Sequence, residues 1–137
     1  MGARREIEVR YGEVDLQRVV FNAHYLAYID DAMDHWMRRL DANFESLGWD
    51  FMLKRADLVW AGGAGLGDTI VVDSRIASWG RTSFVVRHEL SVGPSVVLTA
   101  DVTYVGVEPG TTRPIPPPDA IRRHLGDTEP APDAEAP

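Results

Sequence analysis

The feature that most limits the folds open to this chain is a single change of hydrophobic period. From Asn22 onward, Leu26, Ile29, Met33, Trp36 or Met37, and Leu40 recur at three- and four-residue steps. That spacing lines apolar side chains along one face of a helix. Asp30, Asp31, Asp34, Arg38 and Arg39 fall largely between them, on the side left to water. Asn22 is a suitable N-cap, because its side-chain oxygen can accept a free first-turn amide. No other long helix is predicted.

The segments around this helix read at period two. Glu6–Tyr11 sets Ile7, Val9 and Tyr11 against Glu6, Glu8 and Arg10, the pattern of a half-buried strand. After Gly48, residues 51–60 end in Leu58, Val59 and Trp60, and the glycine-rich AGGAGLGD then interrupts any regular ladder. Strands are predicted over 69–79, over 82–92 with Phe84, Val86, His88 and Leu90 on one side, and over 96–107. Short turns at Gly80 and Gly93-Pro94 make these three an antiparallel meander. The fold class is α+β: strand, long helix, four strands. Helix stripe and sheet face bury each other at about 25 cal/mol per Å² of apolar surface. The outer sheet face then needs a charged surface or a partner.

At 137 residues, 45% hydrophobic and 26% charged, the chain suits one globular domain, expected over 1–126. A monomer of this size buries only roughly two thirds of its unfolded surface, so dimerisation is an obvious way to bury more. The prolines of EPGTTRPIPPP mark a tail rather than core; Asp119–Leu125 suits a short helix, and 127–137 a disordered end. The absence of cysteine excludes disulfides, zinc–thiolate sites and cysteine nucleophiles. A net charge of −7, with Lys54 the only lysine, argues against nucleic acid as partner. No apolar run approaches the roughly 18–20 residues of a membrane span, and the amino terminus lacks a signal-peptide core. Met-Gly at the start suggests myristoylation, but Glu6 stands where Ser or Thr is wanted. The expectation is a cytoplasmic protein with no membrane partner.

Asp15 is the leading candidate for chemistry. It lies in YGEVDLQRVVFNAHY, between the first strand and the helix. A helix start presents amides without internal partners and a partially positive dipole end, which together stabilise an oxyanion. A nearby carboxylate can act as base or nucleophile, and the same field favours its ionised form. The plain alternative is that Asp15 caps a turn.

The stretch RYGEVDLQRVVFNAHYLAYIDDA resembles the signature of hotdog-fold thioesterases of the 4-hydroxybenzoyl-CoA thioesterase-like family. That signature runs from an aromatic strand end through Asp and a Gly-Val-Val-like loop to an aromatic residue and the central helix. Tyr11, Asp15, Val19, Val20, Phe21, Asn22 and Tyr25 stand at the matching positions. GDTIVVDSRIASWGRTSFVVRHEL and VVLTADVTYVGVEPGTTRPIPPP are similar to the family's last strands and exit, so the resemblance covers roughly 5–125. It implies a curved five-stranded antiparallel sheet around one helix, a homodimer or homotetramer with joined sheets, and active sites at the subunit interface. It also implies hydrolysis of an acyl-CoA or acyl carrier protein thioester, with no cofactor beyond the coenzyme A of the substrate and no metal. Asp15 carries over as the catalytic carboxylate and the Asn22 backbone amide as the donor to the thioester carbonyl.

Other positions follow less directly. A branch of the family has His where Asn22 stands; here His24 is two residues further on, as an assisting group or first-turn packing. Tyr11 is placed to hydrogen-bond near the acyl group or to pack, and Phe21 to line the substrate site. Arg18 replaces a small residue or glycine and either steers an anionic ligand or is solvated. Arg81, Thr82 and Ser83, in WGRTSF, are similar in place to residues near the pantetheine or nucleotide phosphates, or form an exposed turn. Arg113 is a weaker candidate of the same kind. Trp36, Trp49, Trp60 and Trp79 are assigned to core or interface. Asp68 is expected to shape a turn. The competing function is a non-catalytic acyl-thioester-binding or regulatory hotdog protein, which would not need Asp15; a hotdog dehydratase wants a His–acid arrangement not found here. Acidic carrier proteins would be repelled by an acidic chain, which favours coenzyme A as carrier.

Overall fold

The structure is a computed structural model describing residues 2–126; the tail expected over 127–137 lies outside the described residues. Five strands, β1 (Gly2–Glu8), β2 (Asp50–Trp60), β3 (Thr69–Trp79), β4 (Ser83–Val92) and β5 (Ser95–Val107), form one sheet in the order β1-β3-β4-β5-β2, antiparallel throughout. The meander β3-β4-β5 is its centre, as the sequence predicts. A long helix, α1 (His24–Leu40), lies against it, and a short one, α2 (Asp119–Leu125), closes the chain. Among the described residues no helix is long and apolar enough to cross a membrane.

The sheet curls because the ladder slips at Leu53/Arg55, Ile76/Ser78 and Leu90/Ser91. Each extra residue bends its strand and adds twist, wrapping the sheet towards α1. The helix buries Tyr25, Tyr28, Ile29, Ala32, Met33, Trp36 and Met37 against Ile70, Val72, Ile76, Phe84, Val86 and Leu90. Asp30, Asp31, Asp34, Arg38 and Arg39 are all exposed, so the wet face is the predicted one. The buried stripe begins at Tyr25 rather than Leu26. Trp36 and Trp49 are fully buried, Trp79 is half-buried, and Trp60 is exposed.

Three expectations need correction. The first strand ends at Glu8, not Tyr11: Arg10 and Glu13 bond reciprocally across a short 3₁₀ turn at Tyr11–Glu13, which lifts Tyr11 out of the ladder and leaves it 82% exposed. The residue before α1 is Ala23, with no side-chain cap, so Asn22 is not the N-cap. There the His24 amide bonds to the Phe21 carbonyl and the Tyr25 amide to that of Asn22 instead. Finally, the proline-rich stretch is not a free tail. It reverses at 108–113 and returns to β5, where the Ile115 amide donates to the Gly106 carbonyl (2.9 Å). Gly106 allows this close approach: a methyl there would collide with the Trp49 indole and come within 2.9 Å of the Ile115 carbonyl. Helix α2 then buries Ile121 and Leu125, and the His124 ring donates to the Trp36 carbonyl (2.6 Å) near the end of α1.

Candidate active site

Beyond β1, the chain continues pairing for one residue, as the Val9 amide donates to Asp68 and its carbonyl accepts from Gly67. After the turn at Tyr11–Glu13, residues 14–20 form a miniature hairpin. The Asp15 amide donates to the Val19 carbonyl and the Arg18 amide to the Asp15 carbonyl, both at 2.9 Å. This three-residue loop ends in Arg18 with φ of +66°, a left-handed position that ordinarily falls to glycine. The Asp15 side chain supports the loop itself: Oδ1 accepts the Gln17 amide at 2.8 Å. The turn-capping alternative is therefore real, yet it occupies one oxygen, and Oδ2 has no partner among the described residues.

The return arm docks on the glycine-rich segment. The Val20 amide donates to Ala64, Val19 bridges Gly65, and the Tyr25 hydroxyl accepts the Ala64 amide at 3.2 Å. Asp68 holds that segment by accepting the Gly65 amide at 2.8 Å, the turn-shaping role predicted for it. The backbone then enters α1 with the amides of Asn22 and Ala23 donating to nothing among the described residues. These N–H groups lie at the positive end of the helix dipole. Hence one short segment presents a carboxylate with a free oxygen and, seven residues on, unpaired donors.

Several apolar side chains of the loop, of the glycine-rich segment and of the end of β2 are exposed. Leu16 is fully exposed, and Phe21, Leu66, Val59 and Trp60 are all exposed as well. The His24 ring meets Phe21 edge-on, with centroids 6.4 Å apart. Arg81, Thr82 and Ser83, by contrast, sit beyond the far end of β3, whose 11 residues span about 35 Å from the Asp68 end. One chain does not bring them to Asp15. Arg113 is engaged by Glu108 at 2.6 Å.

The sequence reading missed Glu13. Its side chain is buried, taking the Arg10 amide at 2.8 Å, the Arg10 guanidinium at 2.6 Å and the Tyr28 hydroxyl at 2.9 Å. Burial pushes its pKa up, but the hydrogen bonds from Arg10 and Tyr28 outweigh this and hold it below the ordinary value. Burial, together with the bond to Glu13, pushes the Tyr28 phenol up. The available signal was an acidic residue in phase with the inward-facing Ile7 and Val9. Among the described residues no group of three His, Asp or Glu side chains could hold a metal ion.

The sequence pattern of the thioesterase-like superfamily matches residues 9–125. The chain belongs to that superfamily. This thioesterase-like protein is similar in structure to a thioesterase from Thermus thermophilus crystallised with coenzyme A and zinc, at 27% identity and a TM-score of 0.77, covering 89% of this chain and 90% of that one. It also resembles a 1,4-dihydroxy-2-naphthoyl-CoA thioesterase from Synechocystis (19% identity, TM-score 0.79, covering 91% and 96%) and the Escherichia coli probable thioesterase YbaW (21%, 0.77, covering 89% and 95%). No curated protein matches it significantly. The family and hotdog fold expected from the Asp-loop-helix stretch are those found, and thioesterase is the class of enzyme they define.

Proposed function

We propose that this thioesterase hydrolyses an acyl-CoA, or a related phosphopantetheine thioester, at a site built on Asp15 and the start of α1. The observation that carries the reading is the pairing of a carboxylate having a free Oδ2 with the unpartnered Asn22 amide. The thioester carbonyl oxygen accepts from the Asn22 N–H, which stabilises the oxyanion as it forms. Asp15 either takes a proton from water as the hydroxide equivalent adds to the carbonyl carbon, or attacks to give a mixed anhydride that water then opens. Both routes break the C–S bond, release the thiol and leave the free acid. Phe21 and Leu16 offer apolar surface to the acyl part; Tyr11 and His24 stand close enough in sequence to contact it.

A dimer completes this arrangement. The edge strand β2 has 11 residues, no proline, and exposed Met52, Leu53, Val59 and Trp60, a form of edge that soluble chains ordinarily cover. Two copies pairing antiparallel through β2 set the Trp60 end of one beside the Asp50 end of the other. That places the Arg81–Ser83 turn of the second copy at the same end as Asp15, where its arginine suits the phosphates of coenzyme A. Arg18, at the tip of the loop, is available to the same anion.

The test is thiol release from a panel of acyl-CoAs, followed with a thiol-reactive dye; the absence of cysteine removes protein background. Wild type should turn over at least one substrate, and Asp15→Asn should lose about 10²–10⁴-fold in kcat/KM while remaining folded. A wild-type protein that binds acyl-CoA without cleaving it, or an Asp15→Asn variant with full activity, would overturn the assignment.

A further inference from the structure

Resting on that reading of Asp15 and Asn22, we infer that Glu13 is a positioning residue for the reaction, fixing the loop that carries both groups. Glu13 joins three parts of the chain. Its Oε1 accepts the Arg10 amide and the Tyr28 hydroxyl, its Oε2 accepts the Arg10 guanidinium, and its backbone carbonyl accepts the Phe21 amide at 3.0 Å. Arg10 is where the chain leaves β1, Tyr28 lies in the second turn of α1, and Phe21 immediately precedes Asn22. Asp15 follows Glu13 by two residues. The Glu13 side chain and carbonyl thus tie the two arms of the hairpin to each other and to the helix whose N-terminal amides face the substrate.

The clamp affects geometry more than it adds to stability. A carboxylate only 8% exposed has lost most of its hydration, and its hydrogen bonds largely repay that cost rather than exceed it. Apolar packing would hold the helix against the strand exit equally well. What an apolar residue cannot do is fix direction, because it lacks an acceptor for the Tyr28 hydroxyl, the Arg10 amide and the guanidinium at once. Directional bonds on both sides of Asp15 restrict how far its carboxylate can drift from the Asn22 amide. Catalytic rate is sensitive to displacements on the order of 1 Å at such a distance, with losses of about 10²-fold.

The experiment compares kcat and KM of wild type, Glu13→Ala, Glu13→Gln, Tyr28→Phe and Asp15→Asn on the best acyl-CoA, well below each variant's melting temperature. Glu13→Ala should lose on the order of 10²-fold in kcat with KM within about threefold of wild type. Glu13→Gln keeps an acceptor for the Arg10 amide and Tyr28 and should recover at least tenfold of that loss (about one decade, or 1.4 kcal/mol). Tyr28→Phe removes a single hydroxyl, folds in the event that Glu13→Ala does not, and should lower kcat about three- to tenfold, the effect of one hydrogen bond. Wild-type kcat in Tyr28→Phe and in a folded Glu13→Ala, or a loss confined to KM, alongside an inactive Asp15→Asn, would overturn the role of Glu13 and leave Asp15 standing. An active Asp15→Asn would instead sink the underlying assignment.

Discussion

Lowering the pH should destabilise this protein through His88, a residue remote in sequence from the site. His88 is fully buried on β4, its Nδ1 2.7 Å from the Ser74 hydroxyl and its Nε2 3.2 Å from that of Tyr104. Burial pushes its pKa down to about 3, against a small upward pull from the Asp101 carboxylate. The unfolded chain protonates the same ring near 6.5. Between those values the unfolded state binds the proton and the folded state does not, so stability falls as pH falls through that window. From pH 7 to 4.5 the loss is about 2.5 kcal/mol, an appreciable part of the roughly 5–15 kcal/mol typical of a domain. Urea unfolding at the two pH values, at fixed protein concentration, measures it directly. His88→Gln can still bridge two hydroxyls but does not titrate. It should be about 1–2 kcal/mol less stable than wild type at pH 7 and about 0.5–1.5 kcal/mol more stable at pH 4.5. Equal losses in both proteins, or a ring that titrates near 6.5 by NMR in the folded state, would refute the argument.

Two substitutions test the loop and the edge. Arg18 holds a φ of +66° that costs a non-glycine residue about 1–2 kcal/mol, while glycine gives back about 0.4–1 kcal/mol through the freer unfolded chain, so Arg18→Gly should raise stability by about 0.5–1 kcal/mol in urea unfolding; a clear loss would mean that the Arg18 side chain makes a compensating contact. Val59→Lys puts a charge on the exposed end of β2 and should shift the protein towards monomer in light scattering, lowering hydrolysis at dilute protein; an unchanged dimer would place the interface elsewhere.

Most of the fold was legible because its elements obey one rule each. The α1 stripe, the period-two runs and the glycine punctuation of the meander all follow from one buried face per element. The misreadings arose where local side-chain bonds compete with that pattern. Tyr11 continues the alternation of Ile7 and Val9, but the reciprocal Arg10–Glu13 bonds turn the backbone first. Asn22 has the chemistry of a cap, yet the chain enters α1 through a tight turn at Phe21 and Asn22 that leaves its side chain unused. EPGTTRPIPPP has the composition of a tail, but Gly106 permits a close return that composition does not report. Of the residues in the proposed site, Asp15 was singled out by resemblance and by its place before the helix. Glu13 was not, since its importance depends on Tyr28, 15 residues away, reaching back to it.

The separation of Asp15 from Arg81 is the reason for proposing that two copies of so small a chain serve one reaction. Helix α1 runs from the loop end of the sheet to the end where His124 meets Trp36 and the Trp79 indole donates to Gly126. Any residue in the β3–β4 turn is consequently a full strand length from the helix start. A single chain therefore cannot present the helix N-terminus and that turn to the same short ligand. Antiparallel pairing through β2 removes the conflict, since it reverses one sheet relative to the other and sets unlike ends side by side. In the dimer we propose, the same pairing would satisfy the backbone of the exposed edge and cover Val59 and Trp60, so its stability and the completion of the site would depend on one surface. Dissociation should accordingly raise KM for coenzyme A esters before it alters the Asp15 loop, whose clamp through Glu13, Arg10 and Tyr28 lies within one chain.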